Sequence, residues 1–398
     1  TFVDSSWYFL RYVSPDLDDA PFDVERANDW MPVDQYVGGL EHAVMHLLYA
    51  RFVTKAIADM DMLAHREPFT NLLGQGMVQL EGEKMSKSKG NTVSPQRIVD
   101  EYGADTARLF MMQAARPDTA FDWSEEGVKS THRFLGRLAE TVRRFADADP
   151  AGDEGAIEAY VGNEVDAAVA VATENFEDLG FDLATREAQQ LVGTLRSYRE
   201  YVTEVHAPTF RRGLETAIKL LAPVAPHLTE ELYAELTDED AGLLVDATWP
   251  SAEVNLDEAE KRRQLVENTR EDVRSIVDVA GIEEPERIDV VVAPAWKREA
   301  LSIAIDSDAP NLVGELMQNP DIQRHGSAAS DYAKDLQAER EALRPTLSPA
   351  AAREAPEAAA WLIEREFEAP VRVLAAEAAD DGVAKKAEPG RPAIDIAE

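Results

Sequence analysis

Tyr36-Val37-Gly38-Gly39-Leu40-Glu41-His42-Ala43-Val44-Met45-His46-Leu47 passes from strand-forming residues through a glycine pair into a helical pattern. The strand is expected over Val33–Val37 and the helix from about Leu40 to Asp59. Paired glycines let a ligand approach the backbone, and a helix N-terminus at the carboxyl end of a strand is where nucleotides bind in open α/β sheets. Glu41, at the helix start, is placed to accept bonds from ribose hydroxyls. His42 and His46 are four residues apart and share a helix face. Such a His-x-x-x-His pair, with Glu41 as a third ligand, also suits zinc. A plainer reading makes both histidines satisfied polar residues packed within the fold.

Further along, Met77 to Leu80 reads as a second strand ending in the turn Glu81-Gly82-Glu83, and Lys84-Met85-Ser86-Lys87-Ser88-Lys89-Gly90-Asn91 follows. Most basic clusters are solvated charge runs. Here lysine is scarce elsewhere, and three lysines share one short turn with two hydroxyls and a glycine. Such a loop can fold over a polyphosphate, with ammonium groups and backbone amides facing the oxygens. Phosphoryl-type chemistry needs fixed positive charge where negative charge builds up on transferring and leaving oxygens. Ser94-Pro95 then starts a helix, with a capping hydroxyl and proline in the first turn. Gly103 breaks the chain before another helix over Asp105–Ala114, in which Asp105 and Arg108 read as a structural ion pair. Residues 1–125 are thus expected to be α/β.

From 126 to 250 the pattern changes to long amphipathic helices: Val128–Ala146, Ala156–Glu177, Leu183–Val205, Thr209–Leu221 and His227–Leu236. Asp149-Pro150, Ala207-Pro208 and Pro223–Pro226 separate them, which predicts a helical bundle. Thr237–Glu253 is acidic and turn-rich, as a linker would be. Residues 251–398 read as a small α+β domain, with a helix over Glu258–Val279, a strand over Arg287–Val292 and a terminal strand over Ala393–Ile396. Residues 376–392 are expected to be partly mobile. No internal repeat is visible.

At 398 residues the chain suits two or three domains. It contains no cysteine, which rules out a disulfide framework and thiolate-ligated zinc. No apolar run is long enough to span a bilayer, and a cytoplasmic location without membrane partners is expected. The formal net charge is -36, and arginine outnumbers lysine more than twofold. The acidic residues are spread along chain that also carries periodic apolar residues, unlike a disordered acidic tail. A salt-rich cytoplasm explains this, because the Debye length shrinks to about 3 Å at 1 M salt and self-repulsion is screened. The alternative is an ordinary acidic protein at low salt. Thr1 opens an apolar, aromatic stretch, Thr1-Phe2-Val3-Asp4-Ser5-Ser6-Trp7-Tyr8, as though cut from a longer chain.

The lysine loop resembles the Lys-Met-Ser-Lys-Ser signature of class I aminoacyl-tRNA synthetases. The first stretch is similar to the Gly-Gly-x-Glu-His-Ala-x-x-His-Leu segment of the leucyl-tRNA synthetases, where isoleucyl and valyl relatives carry a different pattern. Thr1–Tyr8 is another leucyl-type segment. The resemblance implies the second half of a class I Rossmann-type catalytic domain, then a helical anticodon-binding-type bundle and a C-terminal tRNA-binding domain of archaeal type. With the acidity, it points to a haloarchaeal source. It implies that Lys84 and Lys87 are the catalytic cations, and that ATP is held by Gly39, Glu41, His42, Gln75, Met77, Val78, Ser86, Lys87 and Ser88. Tyr8, Tyr36 and His46 would line the leucine side-chain pocket, although aromatics are more often core residues. Magnesium is expected with the ATP, and no zinc.

The activity so implied is ATP-dependent attachment of leucine to its tRNA, tRNA(Leu), through a leucyl-adenylate. No His-x-Gly-His signature and no editing domain occur in these 398 residues. The expected partner is therefore the N-terminal half of the same enzyme, on the same chain or a separate subunit. A non-catalytic tRNA-binding half and a His-x-x-x-His metal-dependent hydrolase are the alternatives. On the tail, Lys297, Arg298, Arg324, Lys385 and Arg391 are the basic candidates for RNA contacts.

Overall fold

A computed structural model describes residues 2–42, 44–86, 90–146, 150, 152–237 and 241–397. The chain forms two compact units, Thr1–Arg143 with Ala172–Gln189 and Ile218–Ala247, and Arg144–Val171 with Gln190–Ala217 and Thr248–Glu398.

In the first unit, two short helices, α1 (Tyr8–Tyr12) and α2 (Val24–Trp30), precede strand β1 (Val33–Gly39). A 3-10 turn over Leu40–His42 separates β1 from α3 (His46–Ala58), so the helix starts six residues later than expected at Leu40. Strand β2 (Phe69–Gln75), which the sequence reading did not foresee, pairs in parallel with β1 and aligns Val37 with Leu73, Gly38 with Gly74 and Gly39 with Gln75. Phe9, Leu10, Phe22, Ala27, Ala50 and Leu63 form the core against this pair of strands.

A second, three-stranded sheet follows. Its centre is β3 (Val78–Leu80), flanked by antiparallel β4 (Glu83–Lys84) and parallel β5 (Phe121–Asp122). Glu81 and Gly82, both at positive φ (55° and 76°), make the β3–β4 turn, which matches the twist of a tight hairpin. Helices α4 (Pro95–Tyr102) and α5 (Ala104–Gln113) meet at Gly103 as expected. Ser94 stands at the N-cap of α4 with proline after it, but its hydroxyl makes no capping bond.

The long helices are α6 (Glu125–Ala146), α7 (Ala156–Glu177), α8 (Phe181–Tyr201), α9 (Ala207–Leu221) and α10 (Pro226–Leu236), close to the predicted limits. Asp105 and Arg108 do not pair with each other. The Asp105 carboxylate takes His227 Nδ1 (2.7 Å) and the Leu228 N–H (2.6 Å), capping the start of α10. Arg108 donates to the carbonyls of Val224 (2.9 Å) and Pro223 (3.0 Å), just past the end of α9. These orphan groups at helix ends need partners, and that need outweighs an i,i+3 pairing on an exposed face, worth only a few tenths of a kcal/mol.

In the second unit, α11 (Leu256–Ala280) leads to a three-stranded sheet with β6 (Arg287–Val292) at its centre. Between β6 and its parallel neighbour β7 (Val371–Ala375) come α12 (Ala295–Asp306), α13 (Leu312–Leu316), α14 (Pro320–Gln323), α15 (Gly326–Ala338) and α16 (Ala351–Phe367). Residues 376–392, expected to be partly mobile, include α17 (Asp381–Ala384) and a Glu388–Arg391 bridge. The antiparallel strand β8 (Ala393–Ala397) closes the other edge. Val273 of α11 and Ile363 of α16 pack on this sheet. The tail also grips the bundle residues of its own unit: Tyr201 Oη donates to Glu364 (2.6 Å), Arg263 pairs with Glu164 (2.9 Å), Arg365 pairs with Glu200, and Trp361 lies between Tyr160 and Tyr201.

Candidate functional site

The parallel pairing of β1 with β2 sets the site, because it brings Gly39 and Gln75 side by side at the carboxyl ends of both strands. The chain leaves β1 through the 3-10 turn that carries Glu41 and His42, both exposed. Glu41's own backbone N–H holds its carboxyl below the usual carboxylate range; burial opposes this, and Lys84 and then His42 add smaller lowering effects. A Cβ built on Gly39 would lie 2.6 Å from Glu41 Oε2, so the missing side chain at Gly39 is what gives that carboxylate room. Lys84, on β4 of the neighbouring sheet, thus acts on the same turn as the glycine pair.

Three aromatic side chains gather around His46 beside this turn. Tyr36 Oη lies 2.6 Å from His46 Nε2, Tyr8 stacks on His46 with centroids 6.5 Å apart, and Phe69 of β2 stacks under Tyr36 at 4.2 Å. His42 meets His46 edge-on at 6.0 Å. Burial, and a hydrogen bond with Tyr8, push the Tyr36 phenol up to about 12. Burial, and then the nearby His42, lower His46 below the ordinary 6.5. At neutral pH the phenol is therefore the donor and a neutral imidazole Nε2 the acceptor. This gives a half-buried, uncharged, ring-lined corner next to a polar turn.

A depressed histidine favours the neutral form only in the folded state. Its contribution to stability is complete above the unfolded value of about 6.5 and is lost as pH falls from there toward the native pKa. An NMR titration of His46 should give a midpoint below 6.5, and a midpoint at or above that value would remove the neutral-imidazole assignment.

The lysine loop is anchored on both sides. Asp122 Oδ1 accepts the Gly82 N–H (2.7 Å) ahead of it. Beyond it, Asn91 Oδ1 accepts the Ser86 N–H (2.9 Å) while Asn91 Nδ2 donates to the Lys84 carbonyl (3.2 Å). The Gly90 N–H closes onto the Ser86 carbonyl at 3.1 Å. Lys87 and Ser88 lie outside the described residues. Val78 opens β3, and Met77 just before it has its carbonyl taken by the Phe121 N–H (3.2 Å). The sequence reading missed Phe69, Asn91 and Asp122. Asn91 stood inside the quoted loop, whereas nothing local marks Asp122.

Among the described residues no group of three His, Cys, Asp or Glu side chains is placed to hold a metal ion. Of the basic candidates on the tail, Lys297 is buried and donates to the carbonyls of Lys385 (2.8 Å) and Ala387 (3.0 Å). Arg298 donates to the Ala293 carbonyl (3.1 Å), Arg324 pairs with Asp321 (3.3 Å), and Arg391 pairs with Asp272 (2.6 Å). These four have structural partners, so they are weaker candidates for RNA contacts than their charge suggested. Among the described residues, no helix is long and apolar enough to cross a membrane.

A parallel strand pair, a glycine-bearing turn at its carboxyl end and an adjoining lysine hairpin make up the candidate site. Residues 17–124 match the family described as tRNA synthetases class I (I, L, M and V), and residues 158–292 match the anticodon-binding domain of tRNA ligase. The chain is homologous to part of the leucine–tRNA ligases. It is 54% identical over its whole length to a leucine–tRNA ligase of Halobacterium salinarum, of which it covers 45%. It is 46% identical to that of Geotalea uraniireducens, over 63% of this chain and 31% of the relative. A crystal structure of a ternary complex of an Agrobacterium radiobacter LeuRS with tRNA and LeuAMS matches with a TM-score of 0.57 and 32% identity, over 63% of this chain and 32% of that one. The chain spans less than half the length of each of these relatives.

Proposed function

We propose that this chain supplies the second half-site of an enzyme that activates leucine with ATP and transfers it to tRNA(Leu). The observation that carries this reading is the convergence of Gly39, Glu41 and Gln75 at the carboxyl ends of two parallel strands, within electrostatic reach of Lys84. In this reading Glu41 accepts ribose hydroxyls, and Gly39, His42 and Gln75 border the adenosine. The backbone of Met77 and Val78 reads the base, and Ser86, Lys87 and Ser88 close over the phosphates. Tyr8, Tyr36 and His46 enclose the leucine side chain, an apolar group suited to an uncharged pocket. The leucine carboxylate attacks the α-phosphorus, the bond to the β-phosphate oxygen breaks, and pyrophosphate leaves. Lys84 and Lys87 neutralise the charge that grows on the departing oxygens. Magnesium bound with the ATP would supply further positive charge at the phosphates.

The domain reading is that residues 1–125 complete a Rossmann-type catalytic fold. Residues 126–250 form the tRNA-facing bundle and residues 251–398 a C-terminal tRNA-binding domain. The remaining half of the ATP site is provided by an N-terminal half, on the same chain or a separate subunit. Leucine-dependent ATP–pyrophosphate exchange tests this directly. The 398-residue chain by itself should give none, and mixing it with, or joining it to, the N-terminal half should restore it. Exchange by the chain alone would overturn the half-site reading, and no exchange by the completed protein would overturn the activity.

A further inference from the structure

We infer that Asn91 and Asp122 are positioning residues that hold the lysine hairpin in register with the turn carrying Glu41. The inference rests on the leucine-activation reading above and goes beyond it, because neither residue is assigned a role there. Strand β4 is only two residues long and pairs only Glu83 with Leu80 and Lys84 with Gln79. A strand of this length at a sheet edge does not fix its own path. The exposed Lys84 side chain can act at a constant place only if its main chain is held by something else.

Two side chains do so from opposite sides. Asp122, on β5 across the sheet, accepts the Gly82 N–H and fixes the turn before Lys84. Asn91 bridges the Lys84 carbonyl and the Ser86 N–H, taking the place that a further rung of β4 would otherwise fill. The Gly90 N–H to the Ser86 carbonyl closes the neck of the same loop. Neither Asn91 nor Asp122 touches the Tyr8–Tyr36–His46 corner, so their work is separable from leucine binding.

A misplacement of about 1 Å at a charge-stabilising group costs on the order of 10²-fold in rate. In the protein completed with its N-terminal half, Asn91→Ala and Asp122→Ala should each lower kcat for leucine-dependent exchange by on the order of 10- to 100-fold. The leucine KM should stay within about twofold, as for a group acting only on the transition state. Asp122→Asn keeps an oxygen acceptor for the Gly82 N–H and should recover most of the loss. Asn91→Asp keeps the Ser86 bond, loses the Lys84 bond, and should fall between Asn91→Ala and wild type. Lys87→Ala is the control that reports on the underlying reading. If Lys87→Ala abolishes exchange while both alanine variants keep wild-type kcat, the positioning role is overturned and the leucine-activation reading stands. If kcat, leucine KM and thermal midpoint all worsen together and Asp122→Asn rescues nothing, the residues are merely structural and the inference is overturned. If wild type itself shows no exchange, the activity reading falls and the inference falls with it.

Discussion

Lys87→Ala in the completed protein is expected to lower leucine-dependent exchange by on the order of 10²- to 10³-fold, the usual effect of removing one preorganised electrostatic donor. Negative charge on the departing pyrophosphate oxygens grows between bound ATP and the transition state. A fixed ammonium at that point therefore lowers the barrier more than it tightens the ground state. The loss should appear in kcat, with the leucine KM within about twofold, because the pocket proposed for leucine is formed by the Tyr8, Tyr36 and His46 rings. Lys87→Arg should recover little, since a planar fork does not replace a compact point charge on a short loop. Unchanged turnover in Lys87→Ala would reduce the loop to a solvated turn. The second lysine, Lys84, sits on the anchored hairpin, so its alanine variant gives an independent reading of the same charge requirement.

Gly76→Ala is expected to cost about 3 kcal/mol, at the upper end of ordinary overpacking effects. Gly76 links β2 to β3, and a Cβ there would sit 2.2 Å from both the carbonyl carbon and the carbonyl oxygen of Thr119. That neighbour is backbone, so no side chain can swing away. The segment is also fixed, because the Gly76 N–H donates to the Pro117 carbonyl (2.8 Å) and the Phe121 N–H to the Met77 carbonyl. The added methyl can be accommodated only by pulling residues 117–121 off β3. That would move Asp122 and, through Gly82, the lysine hairpin. Differential scanning calorimetry should show a lower thermal midpoint, and exchange by the protein completed with its N-terminal half should fall with it. A midpoint within experimental error of wild type would show that the two segments are not held this closely in solution.

The bundle helices were legible because long amphipathic runs with proline-rich breaks carry a strong periodic signal. α7 was found at its limits and α10 within a residue of them. The lysine loop was legible from charge contrast alone, and Glu41, His42 and His46 from their place after a strand. Strand β2 was not. Phe69-Thr70-Asn71-Leu72-Leu73-Gly74-Gln75 shows no alternation, and no residue in it is fully buried. A strand in a two-stranded parallel pair has no single buried face to impose a period of two. The start of α3 was misplaced because Leu40–His42 already has helical character as a 3-10 turn, and composition does not separate 3-10 from α. Asp105 and Arg108 were misassigned because sequence spacing shows only local partners, whereas their actual partners lie more than 110 residues away.

Those last two residues bear on how the protein answers to salt. With a net charge of -36, most of its ion pairs lie on the surface, where added electrolyte weakens them and where dilution revives repulsion among the excess carboxylates. The Asp105 side chain is only 10% exposed, and its bonds run to the opening amide of a helix and to an imidazole. Arg108 holds the carbonyls that end the preceding helix. The Asp105 carboxylate is thus shielded from electrolyte, whereas the His227 ring, 76% exposed, and Arg108 face solvent. The start of α10 is therefore capped by a carboxylate that ions reach poorly, and this seat on α5 should weaken less with salt than the exposed ion pairs do.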